Sequence, residues 1–166
     1  MDVILIRHAE AGERDAAQWP DDALRPITPD GRRKHLAVSR AMRKLGIEFD
    51  FLVTSPLVRA RETAEIVAEA WDWDEDPLMD DALGPECSAT GVVRLLARFP
   101  PDKTVALVGH EPSFSAVAAA LIGGSGDARI TLKKSGAIGI SFDGAAALGR
   151  GALSWLWKPG QLKRVK

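Results

Sequence analysis

Four residues of this chain, Arg7, His8, Arg59 and His110, have the types and the placing that chemistry requires. Each stands at or just past the end of a short apolar run. Residues 3–6 lead into Arg7-His8, residues 49–53 lead through Thr54-Ser55-Pro56 to Arg59, and residues 104–108 lead into Gly109-His110. Open parallel sheets bind ligands beyond the carboxyl ends of their strands. If the three runs are neighbouring parallel strands, the four side chains converge on one crevice. Two guanidinium groups and two imidazoles together call for an anion, and a phosphoryl group matches their donor geometry best. A neutral imidazole nitrogen can attack phosphorus if the other ring nitrogen donates to a fixed partner. Either histidine qualifies. Attachment to Arg7 favours His8, because the phosphate would be clamped beside the attacking nitrogen. His110 and Arg59 would then stabilise the transferring oxygens.

Other phosphate signatures fail. A Cys-x5-Arg loop starting at Cys87 would need arginine at position 93, which is Val93. No Gly-x4-Gly-Lys-Ser/Thr loop is present, and Gly123-Gly124-Ser125-Gly126 follows a helical pattern, which suits a turn. His8-Ala9-Glu10 matches the His-x-Glu of zinc deaminases, but no Pro-Cys-x-x-Cys follows.

The elements that must position these residues alternate between strand and helix, as in an α/β domain. The run 3–6 is apolar on both faces, as a buried central strand is. Thr28-Pro29-Asp30 starts a helix running to Leu45 and stopped by Gly46. Residues 57–71 form the next helix, with Ala60, Ala64, Val67 and Trp71 on one face. An acidic stretch around Asp74 reads as a solvated loop. Ser88 caps a helix that Pro100-Pro101 ends, and Phe114, Val117, Ala118, Leu121 and Ile122 lie at helical spacing before Gly123. Residues 135–142 and 152–157 read as late strands, and the basic tail 158–166 as frayed or surface-bound. The expectation is one domain over residues 1–166: a mostly parallel twisted sheet, helices on both faces, and an antiparallel edge.

Composition narrows the classes further. With 166 residues the chain can bury a core as a single domain. Its 22 Lys and Arg against 23 Asp and Glu give a net charge of −1, so no field points to nucleic acid or an anionic membrane. The single cysteine allows no internal disulfide and no cysteine-rich zinc site. No stretch approaches the ~18 apolar residues of a membrane span, and the start does not read as a signal peptide. A cytoplasmic monomer without metal or cofactor is expected.

Three segments carry a family resemblance. They are Arg7-His8-Ala9-Glu10-Ala11, then Ser55-Pro56-Leu57-Val58-Arg59-Ala60-Arg61-Glu62-Thr63, then Val108-Gly109-His110-Glu111-Pro112. Their order and their apolar prefixes resemble the histidine phosphatase superfamily, which includes the phosphoglycerate mutases. The short chain, the segment Arg25-Pro26-Ile27-Thr28-Pro29-Asp30-Gly31, and the ending from Ser135-Gly136-Ala137-Ile138 through Trp155 to Pro159-Gly160-Gln161-Leu162-Lys163 resemble the SixA-type phosphohistidine phosphatases. The resemblance implies a phosphoglycerate mutase-like fold and a metal-independent phosphatase. His8 is its phosphorylated nucleophile, and Arg7, Arg59 and His110 form its phosphate pocket. Arg25 matches a position near that pocket. The substrate it implies is phosphohistidine on a partner protein, such as a histidine-containing phosphotransfer domain. A small phosphorylated metabolite and a silent phosphate-binding module are the alternatives.

Two departures stand out. Ala9 replaces the usual glycine after Arg-His. No residue is a dependable general acid; Glu86 is the nearest candidate, against a bland role as an exposed loop carboxylate. Other residues receive structural roles. His35, among Arg32, Arg33 and Lys34, is expected on a solvated helix face. Cys87 is expected to be inert, Ser55 to order the turn into its helix, and Arg61 to face away from the site. Trp155 and Trp157 share one strand face, in the core or beside the pocket.

Overall fold

The first strand has no polar face because both of its sides are covered. In β1 (Asp2–Arg7), Val3 and Leu5 join one core cluster and Ile4 and Ile6 join another, all of them buried. The computed structural model describes residues 1–125, 129–162 and 164–165. Its remaining strands are β2 (Phe51–Thr54), β3 (Leu78–Met79), β4 (Thr104–Gly109), β5 (Ala137–Ser141) and β6 (Ala152–Trp157). They form one sheet in the order β3-β2-β4-β1-β5-β6. The pairs β1–β4, β2–β4 and β2–β3 are parallel; β1–β5 and β5–β6 are antiparallel. The expected mostly parallel sheet is present, and its antiparallel margin is two strands wide.

Helices cover both faces. On one lie α1 (Pro29–Lys44), α2 (Val58–Trp71) and the short α5 (Pro159–Leu162), packing Val38, Met42, Ala60, Ala64, Val67 and Leu162 onto Ile4, Ile6, Ala106 and Val108. On the other lie α3 (Ala89–Leu96) and α4 (Ser113–Gly123), packing Val92, Leu96, Phe114, Val117 and Leu121 onto Leu5, Val53, Leu107 and Ile138. Caps set the helix starts as the sequence implies: Gly31 N donates to Thr28 Oγ1 at 2.9 Å, and Gly91 N to Ser88 Oγ at 3.1 Å. Gly31 has a second duty. A Cβ there would fall 2.2 Å from the Glu10 carbonyl oxygen, so the loop after β1 can lie against α1 only over a glycine.

Several expectations need correction. His35 is not on a solvated face; it is fully buried. With Gly31, Val38 and Met42 it follows the i, i+4, i+7, i+11 stripe of α1, and spacing outweighs its charged neighbours. Of the two readings of the tail, frayed or surface-bound, the structure shows the second for α5, whose Leu162 is fully buried under α1. The acidic stretch around Asp74 is a loop, and the two-residue strand β3 that follows it is an addition to the expected elements, because two exposed residues leave no periodic trace. Trp155 and Trp157 pack against the α1 and α2 side of the core, and a Cβ on Gly139 would fall 2.3 Å from the Trp155 ring. The turn at Gly123-Gly124 is present, with Gly124 at φ +78°, whereas Gly126 and the tail residues Lys163 and Lys166 lie outside the described residues. No helix among the described residues is long and apolar enough to cross a membrane.

Candidate active site

Strand order places the chemistry. β4 lies between β1 and β2, so the carboxyl ends of all three are adjacent. The register pairs Arg7 with Gly109 and Thr54 with Val108, and the chains continue in step: His8 N donates to Gly109 O and Ser55 N to Val108 O, each at 3.0 Å. Arg7-His8, Ser55 and His110 therefore leave the sheet at one level. The rings of His8 and His110 are 5.2 Å apart between centroids and tilted by 55°. Arg7, His8, Arg25, Arg59 and His110 all line one cleft of about 410 Å³. Four of the expected residues are brought together, and Arg25 joins them.

The ring of His8 is oriented by the backbone. His8 Nδ1 lies 2.6 Å from its neighbour's carbonyl, Ala9 O. A carbonyl only accepts, so Nδ1 carries the proton and Nε2 keeps its lone pair. Burial pushes the His8 pKa down to about 4; the bond to Ala9 opposes this, and Arg59, Arg7 and Arg25 add to it. The ring is thus neutral at pH 7. Ala9 is itself pinned, since its N–H donates to Thr63 Oγ1 at 2.9 Å, and that hydroxyl donates to Arg59 O at 2.6 Å. The threonine of the Ser-Pro-x-x-Arg-Ala-x-x-Thr segment thereby ties the loop after His8 to the helix carrying Arg59.

The cations are aimed by specific partners. Arg7 donates through Nη1 to Leu132 O at 2.9 Å, and its buried Nε has no protein partner. Arg59, almost fully buried, donates through Nη1 to Asp22 O at 2.8 Å and pairs Nη2 with Asp22 Oδ2 at 3.2 Å; its Nε also lacks a protein partner. Arg25 donates through Nε to Asp22 Oδ1 at 2.8 Å and through Nη1 to Gly12 O at 2.7 Å. Asp22 holds both guanidinium groups, and its own pKa is lowered first by the bond from Arg25. Burial pushes the His110 pKa down to about 3, with His8 and Arg59 contributing. Neutral imidazoles beside arginines with free N–H groups suit an anion whose charge is spread over several oxygens.

The carboxylates are placed differently. Glu86 is exposed and lines a separate groove with Asp81, Ser88 and Gly91, so it is not brought into the cleft; its neighbour Pro85 is. Glu10, Glu13 and Glu111 line the cleft instead. The carboxylate of Glu111 accepts from Ser115 N at 3.0 Å and Ser115 Oγ at 2.7 Å, which commits it to the start of α4. Glu10 lies 3.4 Å from Lys34 Nζ and 3.9 Å from Lys134 Nζ. Sequence reasoning missed Asp22 and Thr63. Asp22 carries one faint signal, its i, i+3 spacing to Arg25; Thr63 carries only its place in the motif. Cys87 is half-buried, and burial raises its pKa, in keeping with an inert thiol.

The chain is similar in sequence and fold to known proteins. Residues 3–84 match the model of the histidine phosphatase superfamily (branch 1). An uncharacterized protein of Picosynechococcus sp. is 35% identical over 150 residues, covering 89% of this chain and 88% of that one. The phosphohistidine phosphatase SixA of Escherichia coli is 25% identical over 100% of this chain and 99% of its own. In fold, the protein histidine phosphatase SixA complexed with tungstate superposes with a TM-score of 0.85, at 22% identity, over 98% of this chain and 100% of that one. The fold is thus phosphoglycerate mutase-like. Since the matching sequence takes in both the strand that delivers His8 and the helix that delivers Arg59, this chain belongs to branch 1 of the histidine phosphatase superfamily.

Proposed function

We propose that this superfamily phosphatase works through a phosphohistidine at His8 and removes phosphoryl groups from phosphohistidine on a partner protein. The observation that carries the reading is the pairing of His8 Nδ1 with Ala9 O, which leaves a neutral ring with its Nε2 lone pair free in a cationic cleft. In the first step Nε2 attacks phosphorus in line. The Nε2–P bond forms as the bond to the leaving group breaks, and the leaving group keeps the electron pair and takes up a proton from solvent. In the second step water attacks phosphorus, the Nε2–P bond breaks, and its electrons return to Nε2 while Nδ1 stays bonded to Ala9 O. Arg7, Arg59 and His110 neutralise the equatorial oxygens in both steps.

The carboxylates support the choice of substrate. Of the three carboxylates that line the cleft, Glu111 caps α4, Glu10 faces two lysines, and Glu13 is exposed. An imidazole leaving group is protonated more readily than an alkoxide, so phosphohistidine needs a dedicated acid less than a phosphate ester does. The basic lining of Arg7, Arg14, Arg25, Arg59 and Lys134 would repel a catalytic cation, and the mechanism uses none.

Trapping tests the reading. Brief incubation with a radiolabelled phosphoryl donor and denaturing quench is expected to leave an acid-labile, base-stable label on the protein that His8→Ala abolishes. Full turnover by His8→Ala would overturn the mechanism, and loss of activity in excess chelator would overturn its metal independence. A phosphorylated histidine phosphotransfer domain is expected to be dephosphorylated faster than a small phosphomonoester; the reverse order would move the substrate to a metabolite. Glu86→Gln is expected to leave both rates unchanged, as its place outside the cleft implies.

A further inference from the structure

We infer that Ser55 is a positioning residue that fixes which nitrogen of His110 carries the proton, making the cleft imidazole a hydrogen-bond donor through Nδ1. The role of that donor rests on the phosphoryl transfer proposed above; the tautomer itself does not. Ser55 is fully buried, and its Oγ lies 2.9 Å from His110 Nε2. The same oxygen accepts a longer bond, 3.4 Å, from Leu57 N at the start of α2, a helix with no other side-chain cap. His110 is almost fully buried, and its Nδ1 makes no hydrogen bond to any protein group.

Two arrangements of protons fit these heavy atoms. If Nε2 carried the hydrogen, it and Leu57 N–H would both point at Ser55 Oγ. The serine O–H, on a residue with no exposed surface, would then have no acceptor, and Nδ1 would hold a lone pair instead of a donor. Each unsatisfied buried group is costly. If the serine O–H donates to Nε2, every group of the chain Leu57 N–H to Ser55 Oγ to His110 Nε2 is satisfied. The hydrogen on the ring must then sit on Nδ1, the one polar atom of the ring without a protein partner. An anion in the cleft that His110 lines supplies the acceptor that Nδ1–H lacks. The burial that keeps His110 neutral makes this choice of tautomer matter, because a protonated ring would donate from both nitrogens whatever Ser55 did. Serine thus does for His110 what the Ala9 carbonyl does for His8, with the opposite sense. One imidazole keeps its proton on the protein side and offers a lone pair; the other gives its lone pair to the protein and offers a proton.

The test uses the resting protein and the reaction separately. Long-range proton–nitrogen NMR of the imidazoles at pH 7 is expected to show His110 as the Nδ1–H tautomer and Ser55→Ala as a mixture. Ser55→Ala is expected to lower kcat about tenfold with little change in KM, as removal of a transition-state donor does. Ser55→Thr, which keeps the hydroxyl, is expected to restore the tautomer and most of kcat. An Nε2–H signal from His110 in the wild-type protein would overturn the inference, and so would an unchanged tautomer and kcat in Ser55→Ala. If Ser55→Ala does not fold, the wild-type spectrum and Ser55→Thr still decide. A wild-type protein with the expected tautomer but no trapped adduct at His8 would refute the proposed function and leave the assignment of Ser55 standing.

Discussion

At the scale of single residues, the proposed mechanism divides the site into groups that touch the phosphoryl and groups that aim them. Arg59 shows the difference best. Its guanidinium is gripped by the carbonyl and carboxylate of Asp22, and its Nε, which has no protein partner, is assigned to substrate by the proposed mechanism. Arg59→Ala is expected to lower kcat/KM by about 10²–10³. Arg59→Lys is expected to recover little of it, because an ammonium cannot hold Asp22 and an anion at once in one planar fork; steady-state kinetics on both variants checks this. The neutral His8 sets an acid limit. Its depressed pKa means that Nε2 is free above about pH 4 and protonated below, so kcat/KM is expected to fall only in that acid region. A loss already complete at pH 6 would contradict the geometry at Ala9. The touching residues were legible in the sequence because each sits at the end of an apolar run. The aiming residues were not. Asp22 and Thr63 meet the site through pairings of 37 and 54 residues' separation, and no local pattern encodes such a meeting.

At the scale of elements, the loop between β1 and α1 is the part of the site most dependent on its neighbours. It is tied down by Thr28 N donating to Glu10 O at 2.8 Å, by Ile27 N donating to Glu62 Oε2 at 2.8 Å, and by the close approach over Gly31. Gly31→Ala gives the helix a better former but drives a methyl into a backbone carbonyl, and the clash outweighs the gain of up to ~1 kcal/mol in propensity. The variant is expected to lose ~1–3 kcal/mol of stability by denaturant titration and to bind inorganic phosphate more weakly, since Gly12 and Asp22 of the displaced loop hold Arg25. Unchanged phosphate affinity would separate the loop from the pocket. The helices, their caps and the central strands followed from periodicity and end signals. The strand β3 escaped because two exposed residues leave no periodic trace, and α5 escaped because only Leu162 of its four residues is buried.

At the scale of the whole molecule, three buried histidines make the fold acid-sensitive. Burial lowers His8 to about 4 and His35 and His110 to about 3, against about 6.5 in an unfolded chain. The unfolded state therefore takes up protons first as pH falls. Stability is fully present above about pH 6.5 and drains away toward pH 4 and below, at up to ~1.4 kcal/mol per pH unit for each histidine. His35, with neither ring nitrogen bonded, is the separable contributor. His35→Leu is expected to remove about a third of the slope between pH 6 and 5, measured by denaturant midpoints, and an unaltered slope would show that His35 is not the buried neutral group described.

The position of β4 between β1 and β2 also orders events in time. A ribosome delivers β1, α1, β2 and α2 first, as a half-sheet whose two inner strands have no partner between them. Neither strand can close its hydrogen bonds, and no pocket exists, until residues 104–109 arrive and thread the gap. Contacts this distant in sequence are slow to form. Recovery of enzymatic activity during refolding should therefore lag the gain of helix, and the early half-sheet is the species a chaperone would meet, with two bare edges offering themselves to other chains.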